Sequence, residues 1–391
     1  MKLNCNQQAF FALVRAGLWA DKTVPDSWLM GHGSEQVDWG KLYQLAAEQS
    51  VQGLVLAGIE SFKFQSSSPS EAAKSSASFK IPQELLLQWI GEVQMIEQQN
   101  KAMNKFVAQL MEKLSNKDVY TLLVKGQGIA QCYEKPLWRS SGDIDLLLDA
   151  KKYDEAKAYC DSNADSFAGE TTKNKERLHQ EYQFGGWAVE LHGTMHADLS
   201  RRMDRVIDQV QDDTFSKKQV RVWKNGDADV YLPSPDNDVI FVFTHILQHL
   251  FFEGIGLRQI CDWCRLLWTY KESLNHGLLE SRIRKMGLMS EWKVLASFAV
   301  KYLGMPVDAI PSYSESAKWK CKADRICSFI MEVGNFGHNR ELEWANPLKR
   351  RTSLIWHRIT DTFKLSFVFP LDAPRFLLNY AVDGVRGLMR W

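Results

Sequence analysis

The stretch Tyr120–Asp149, YTLLVKGQGIAQCYEKPLWRSSGDIDLLLD, decides the fold. It opens on a short apolar run, Thr121 to Val124, that is too brief for a helix and is followed at once by Gly126-Gln127-Gly128. A buried strand entering a tight turn reads this way. A helix is expected from Gln127 to Tyr133, stopped by Pro136. A second strand is expected over Gly142 to Leu148, GDIDLLL. Side chains alternate across a strand, so Asp143 and Asp145 share one face and Ile144, Leu146 and Leu148 the other. Two adjacent carboxylates repel, and a cation between them relieves the repulsion. Mg²⁺ fits best, as a hard ion that takes one or two carboxylates and keeps room for phosphate oxygens, with Mn²⁺ able to stand in for it.

A third carboxylate lies further on. Trp187 to His192, WAVELH, alternates like a strand and puts Glu190 and His192 on one face. If this strand pairs beside the Asp143 strand, Glu190 completes a three-carboxylate cluster. Such a cluster suits in-line phosphoryl chemistry, in which metal ions clamp the attacking and leaving oxygens and a carboxylate helps deprotonate a hydroxyl. The Gly126-Gln127-Gly128 turn is then expected to hold phosphates through backbone N–H groups and a helix N-terminus.

Lys125-Gly126 before a helix, Arg139, the Gly-Asp-x-Asp-Leu-Leu strand from Gly142 and Val189-Glu190-Leu191-His192 together resemble the nucleotidyltransferases of the DNA polymerase beta superfamily. The closest likeness is to its bacterial "uncharacterised nucleotidyltransferase" branch. The likeness runs on through His245-x-x-x-His249 and Gly256 to Trp263 as far as Gly334-Asn335-Phe336-Gly337. It implies that Asp143 and Asp145 bind metal, that Glu190 is the third acidic residue, and that Gly126 and Gln127 face a triphosphate. The chain departs from the superfamily at Gln127, where Gly or Ser is usual, and in a longer gap from the turn to Asp143.

Composition narrows the field. At 391 residues the chain is long enough for two or three domains. Forty-eight Lys and Arg against 47 Asp and Glu leave a net charge of +1, too little for the basic channel of a template-directed polymerase. No long nucleic acid is therefore expected as a partner. No signal-peptide layout and no run of transmembrane length is present. Seven scattered cysteines fit reduced thiols in the cytoplasm better than a disulfide framework.

Along the chain, helices are expected over Gln8 to Trp19, from Ser34–Gln36 through Trp39 and Ala46, over Val51 to Ile59, and from Pro82 to Ser115. A serine-rich stretch at about 63–80 reads as a mobile surface loop. Lys151 to Ser162 reads as a helix. Gly185-Gly186 joins Glu181–Phe184 to Trp187–His192 in a hairpin, and Asn225-Gly226 joins a second between Val220–Trp223 and Val230–Leu232. From Asp236 onward the pattern is helical. His245 and His249, at i and i+4, could bind zinc, but the run His-Ile-Leu-Gln-His lacks a third ligand and the metalloprotease Glu. Hydrogen bonds to backbone or to Asp262 are the preferred reading, with a place near the pocket as the rival.

Cys261-x-x-Cys264 lies in an apolar helical pattern with no second pair at finger spacing, so neither zinc nor redox chemistry is expected of it. Arg258 and Asp262 are spaced to pair along or between helices. Arg139 is read as a phosphate or acceptor clamp over a salt bridge to Asp149, because its planar fork suits that role. Lys125 serves either a phosphate or a carboxylate of the cluster. The aromatic C-terminus, with Phe363, Phe367, Phe369, Phe376 and Trp391, is expected to pack over the core rather than on a membrane.

The expectation is thus an α+β protein. A polymerase-beta-like nucleotidyltransferase core with a small mixed sheet (119–235) lies between an N-terminal helical region (1–118) and a C-terminal helical domain (236–391). The likeness implies Mg²⁺-dependent transfer of a nucleotidyl group from a nucleoside triphosphate to an acceptor hydroxyl, with pyrophosphate released. Asp143, Asp145 and Glu190 would form the metal site, Lys125, Gly126, Gln127, Gly128 and Arg139 the nucleotide site, and His192, His245 and His249 the pocket wall. The near-neutral charge leads to the expectation of a small-molecule, sugar or protein acceptor, and the likeness implies a bacterial surface-polysaccharide or secondary-metabolite pathway. A catalytically silent nucleotide-binding or scaffolding protein on the same fold is the alternative.

Overall fold

The protein is described by a computed structural model over residues 3–19, 37–65, 81–168, 178–335 and 347–389. Thr121–Val124 forms strand β1, all four residues buried, and Asp143–Leu148 forms β2, antiparallel to it with Val124 opposite Asp145. Ser166–Ala168 is β3, His179–Phe184 is β4, and Trp187–His192 is β5. Gly185 and Gly186, both at positive φ, make the two-residue turn between β4 and β5. β5 lies parallel to β2, with Asp145 beside Glu190, so the sheet order is β1-β2-β5-β4-β3 and the sheet is mixed. The second hairpin, Val220–Asn225 (β6) and Ala228–Pro233 (β7), forms a separate two-stranded sheet.

Helices cover this sheet, and the protein is an α+β fold in which helix predominates. Its N-terminal helices are Cys5–Leu18, Trp39–Glu48, Gln52–Gln65 and the long Gln83–Ser115. The first and third of these touch backbone to backbone. A Cβ on Gly17 would lie 2.0 Å from the Leu54 carbonyl oxygen, and one on Gly58 2.1 Å from that of Leu13. Only glycine permits that approach. The Gln52–Gln65 helix runs into the serine-rich stretch, so a loop beginning at 63 is corrected by one helical turn; 66–80 lie outside the described residues. So do Gln36 at the expected start of the second helix, Phe336 and Gly337 of the late turn, and Trp391.

Gly126–Ala130 is helical but stops short of the expected Tyr133. A helix over Arg201–Ser216 follows β5; it is capped by Ser200 and buries Met203, Val206, Ile207 and Val210. Beyond β7 come Pro235–Phe252, Leu257–Thr269, His276–Met286, Met289–Leu303, Ala317–Val333, Pro347–Ser366 and Asp372–Met389. No helix among the described residues is long and apolar enough to cross a membrane.

Glu291, in the Met289–Leu303 helix, is fully buried with Asp372 as its carboxyl neighbour. Burial pushes its carboxyl up to about 8, and the Asp372 carboxylate, at the start of the last helix, pushes the same way. Such a group is protonated when folded and ionised when unfolded, so stability falls as pH rises from the usual glutamate range toward 8. Glu291→Gln keeps the shape and removes the titration. Urea unfolding should show the variant more stable at pH 8 by on the order of 3 kcal/mol or more, with the gain vanishing near pH 4.

Candidate active site

The parallel pairing of β2 with β5 sets the geometry. Asp145 and Glu190 stand side by side on one face, two residues along β2 from Asp143. His192 Nε2 lies 2.8 Å from Asp145 Oδ1 and 3.2 Å from Glu190 Oε2, bridging the two carboxylates. From β4, His179 stands opposite His192, and its Nε2 is 3.2 Å from the same Glu190 oxygen. Sequence reading missed His179, although the two-residue turn fixes the register that puts it there.

Lys125 completes the cluster. Its Nζ donates to Asp145 Oδ1 at 2.7 Å. Its backbone sits at φ 56°, ψ −145°, a region that L side chains rarely adopt, and Gly126 follows at φ 34°. A strained residue of this kind costs about 1–3 kcal/mol and persists where the surroundings demand it. Here the turn aims the ammonium at the carboxylates.

Charge is crowded but compensated. Asp143 is held above the usual carboxylate range, first by the charge of Asp145 and then by burial. Burial would raise Asp145 as well, but Lys125 and His192 outweigh it and hold it low. For Glu190, burial is overcome by hydrogen bonds from His179 and His192, which hold it well below its ordinary range. Burial would lower both Lys125 and His192, yet their carboxylate neighbours raise them. Among the described residues, ligand atoms of His179, Glu190 and His192 lie within 4.8 Å of one another. The mutual repulsion of Asp143 and Asp145, and a donor set of carboxylate oxygens and imidazole nitrogens, fit a divalent cation.

A cavity of about 390 Å³ opens over this face. Lys125, Gly126, Arg139, the three carboxylates and His192 line it, as do His245 and His249 from the Pro235–Phe252 helix. The two helix histidines do not bond to Asp262. His249 Nε2 meets His245 Nε2 at 3.0 Å, and His249 Nδ1 meets Glu253 Oε2 at 2.8 Å. Burial, then the charge of Lys125, holds His245 well below its usual value, so its ring is neutral.

Expectations for the turn and for both arginines need correction. Gln127 and Gly128 do not line the cavity. Gln127 is buried and turned back to the long helix, where Nε2 donates to Asn100 Oδ1 at 2.8 Å and to Met103 Sδ at 2.9 Å. Gly128 packs against Leu232, whose Cδ2 would stand 2.6 Å from an added Cβ.

Arg139 is buried in a two-pronged ion pair with Asp262, at 2.8 Å from Nε and 2.7 Å from Nη2, while Nη1 donates to Ser141 Oγ. Asp149 plays no part and caps Lys151 instead. Asp262 also accepts from the Tyr133 hydroxyl, so Arg258 is left without it as a hydrogen-bond partner. Arg258 Nη1 donates to the Ser140 carbonyl at 2.7 Å, and its buried Nε has no partner among the described residues. A second cavity of about 280 Å³ shares Arg139 and Arg258 with the first and has Trp138, Tyr133 and Leu54 among its walls. Cys261 and Cys264 are buried, and burial pushes both thiols up.

A small mixed sheet that presents carboxylates to a cavity under helices is an α+β arrangement consistent with a nucleotidyltransferase. Sequence comparison gives the family. The chain belongs to the uncharacterised nucleotidyltransferase family, whose model matches residues 35–304. Membership supports a general role in nucleotidyl transfer and implies a nucleoside triphosphate as substrate. Neither the curated proteins nor the solved structures compared with the chain gave a match.

Breaking one side of the Arg139–Asp262 pair leaves a buried charge uncompensated. Arg139→Met or Asp262→Leu alone should lower stability by about 3–5 kcal/mol in urea unfolding. The two together should lose clearly less than the sum of the singles, the mark of a direct pair.

Proposed function

We propose that the protein is a divalent-metal-dependent nucleotidyltransferase built on a polymerase-beta-like core, transferring a nucleotidyl group from a nucleoside triphosphate to an acceptor hydroxyl and releasing pyrophosphate. The observation that carries the reading is the β2–β5 register, which sets Asp145 beside Glu190 with Asp143 at the same cavity. Asp143, Asp145 and Glu190 are the residues that hold the cations, Mg²⁺ or in its place Mn²⁺. A bound divalent ion supplies charge neutralisation for the phosphates and lowers the pKa of the acceptor hydroxyl.

The chain's own groups do the rest. Lys125 and His192 keep Asp145 ionised and fixed. His179 and His192 orient Glu190 and keep it ionised. With Arg139 tied to Asp262, Arg258 is the guanidinium placed to meet a phosphate, and Gly126 lines the same wall. Neutral His245, with His249 beside it, lines the cavity from the helix above, and both are suited to contacting either substrate. The apolar second cavity offers room for the substrate portion that carries no phosphate.

In this reading residues 119–235 supply the carboxylates, 236–391 the roof, and 1–118 the wall of the second cavity. All seven cysteines are free, which supports the cytoplasm as the working compartment. The acceptor is a small molecule, sugar or protein rather than a long nucleic acid, in line with the near-neutral charge. A silent nucleotide-binding scaffold predicts the same binding without turnover.

Pyrophosphate release with Mg²⁺ and a panel of triphosphates and acceptors tests the proposal. Asp143→Asn with Asp145→Asn should lower it by about 10³-fold or more, since each carboxylate is asked to supply several kcal/mol of transition-state stabilisation. Release that survives the double substitution removes the assignment. Binding seen as a rise in melting temperature with Mn²⁺ and triphosphate, but no release with any acceptor, favours the scaffold. Arg258→Met should raise KM for the triphosphate about tenfold or more while the melting temperature stays close to that of the parent.

A further inference from the structure

The Pro347–Ser366 helix is built inside out. Ile355, Trp356, Ile359 and Phe363 fall within one narrow arc of its surface at 3.6 residues per turn. They are 60, 66, 48 and 66 % exposed, and the stripe continues past the helix end through Phe367 at 57 % and Leu371 at 81 %. The other side of the same helix buries Asp361, Thr362 and Leu365 against the protein. Soluble helices turn their apolar stripe inward, and a contiguous exposed patch of this size marks an interaction surface. Packing over the core, the expectation for this segment, holds for Phe369 and Phe376, which are buried, and not for Phe363 and Phe367.

Charge separates the occupants. Residues 347–391 carry eight Lys and Arg against three Asp and Glu, a net +5 in a chain whose whole charge is +1. At the rim, Arg325 donates to the Phe367 carbonyl at 2.9 Å with its guanidinium 5.8 Å from the Phe367 ring, and Lys364 pairs with Glu332 on the neighbouring helix. A second copy docked through a two-fold axis would bring two such basic segments together. An anionic lipid surface does the opposite: it attracts the basic residues, and Trp, Phe and Ile enter the headgroup boundary. Residues 347–389 also lie beyond the matched segment 35–304.

We propose that the Pro347–Ser366 helix and the turn after it form a docking surface for anionic lipid bilayers, holding the protein on a membrane face without crossing it. The inference stands apart from the reaction assigned above. It is tested by sedimenting the full-length protein with vesicles of mixed phosphatidylglycerol and phosphatidylcholine, and with phosphatidylcholine alone. Binding should favour the anionic vesicles by about tenfold or more and weaken as salt is raised. Trp356→Ser with Phe363→Ser should lower that binding at least about tenfold while leaving the melting temperature unchanged, because both side chains are exposed. No sedimentation with anionic vesicles, or equal binding by parent and variant, overturns the proposal. So does a dimer in analytical ultracentrifugation that the double substitution dissociates while no vesicle binding is seen; the occupant is then a second copy.

Discussion

The structure depends on how three carboxylates are made to coexist. Parallel pairing puts Asp145 directly beside Glu190, and the strand repeat brings Asp143 to the same face. Left alone, such a group would repel itself apart or take up protons. Instead Lys125 and His192 converge on one oxygen of Asp145, and His179 and His192 on one oxygen of Glu190. Asp145 and Glu190 are therefore held ionised and in register. Preorganised charge of this kind acts without reorganisation during a reaction.

The compensation reaches well beyond the sheet. Arg139 follows the Pro136–Trp138 turn, yet its fork closes on Asp262, in the Leu257–Thr269 helix. Asn100, on the long N-terminal helix, donates to the Leu137 and Arg139 carbonyls and accepts from Gln127. Arg265 reaches the Cys132 and Leu18 carbonyls. These buried polar contacts tie the loop between β1 and β2 to helices on both sides, so the cavity is a joint product of three stretches of chain. Buried ion pairs add little net stability, but they fix geometry once formed, and a cavity shaped by distant segments needs that.

How much of this was legible follows from range. β1 and β2 were readable because a short apolar run beside Gly126 and an alternating GDIDLLL are local signals. The Gly185-Gly186 hairpin is a local signal, and the alternation of WAVELH puts Glu190 and His192 on one face. The parallel β2–β5 pairing that brings that face to Asp145 is long-range and enters the sequence reading only as a condition. Arg139 was misjudged because its partner lies 123 residues away and nothing near it in sequence announces Asp262. Gln127 was misjudged for the same reason, since its partners, Asn100 and Met103, belong to the preceding helix. The Arg201–Ser216 helix had a readable pattern, with Ser200 as cap and an apolar stripe, and was passed over between two hairpins. At the C-terminus the aromatic content was plain, but periodicity names a stripe without saying whether it faces in or out.

The departure at Gln127 bears on activity less than it first appears to. The Gly or Ser usual in the superfamily the chain resembles would bear on the cavity only if this side chain lined it, and here it points into the helix interface instead. The feature that does touch the cavity is Lys125, held in a backbone conformation that a glycine would adopt at no cost. A residue strained in this way needs a compensating interaction. A site that must hold Asp145 ionised beside Glu190 has one, because the ammonium is the group that makes their closeness tolerable. The strained lysine and the paired histidines around Glu190 are thus accounted for by the need to keep two adjacent carboxylates ionised and in place.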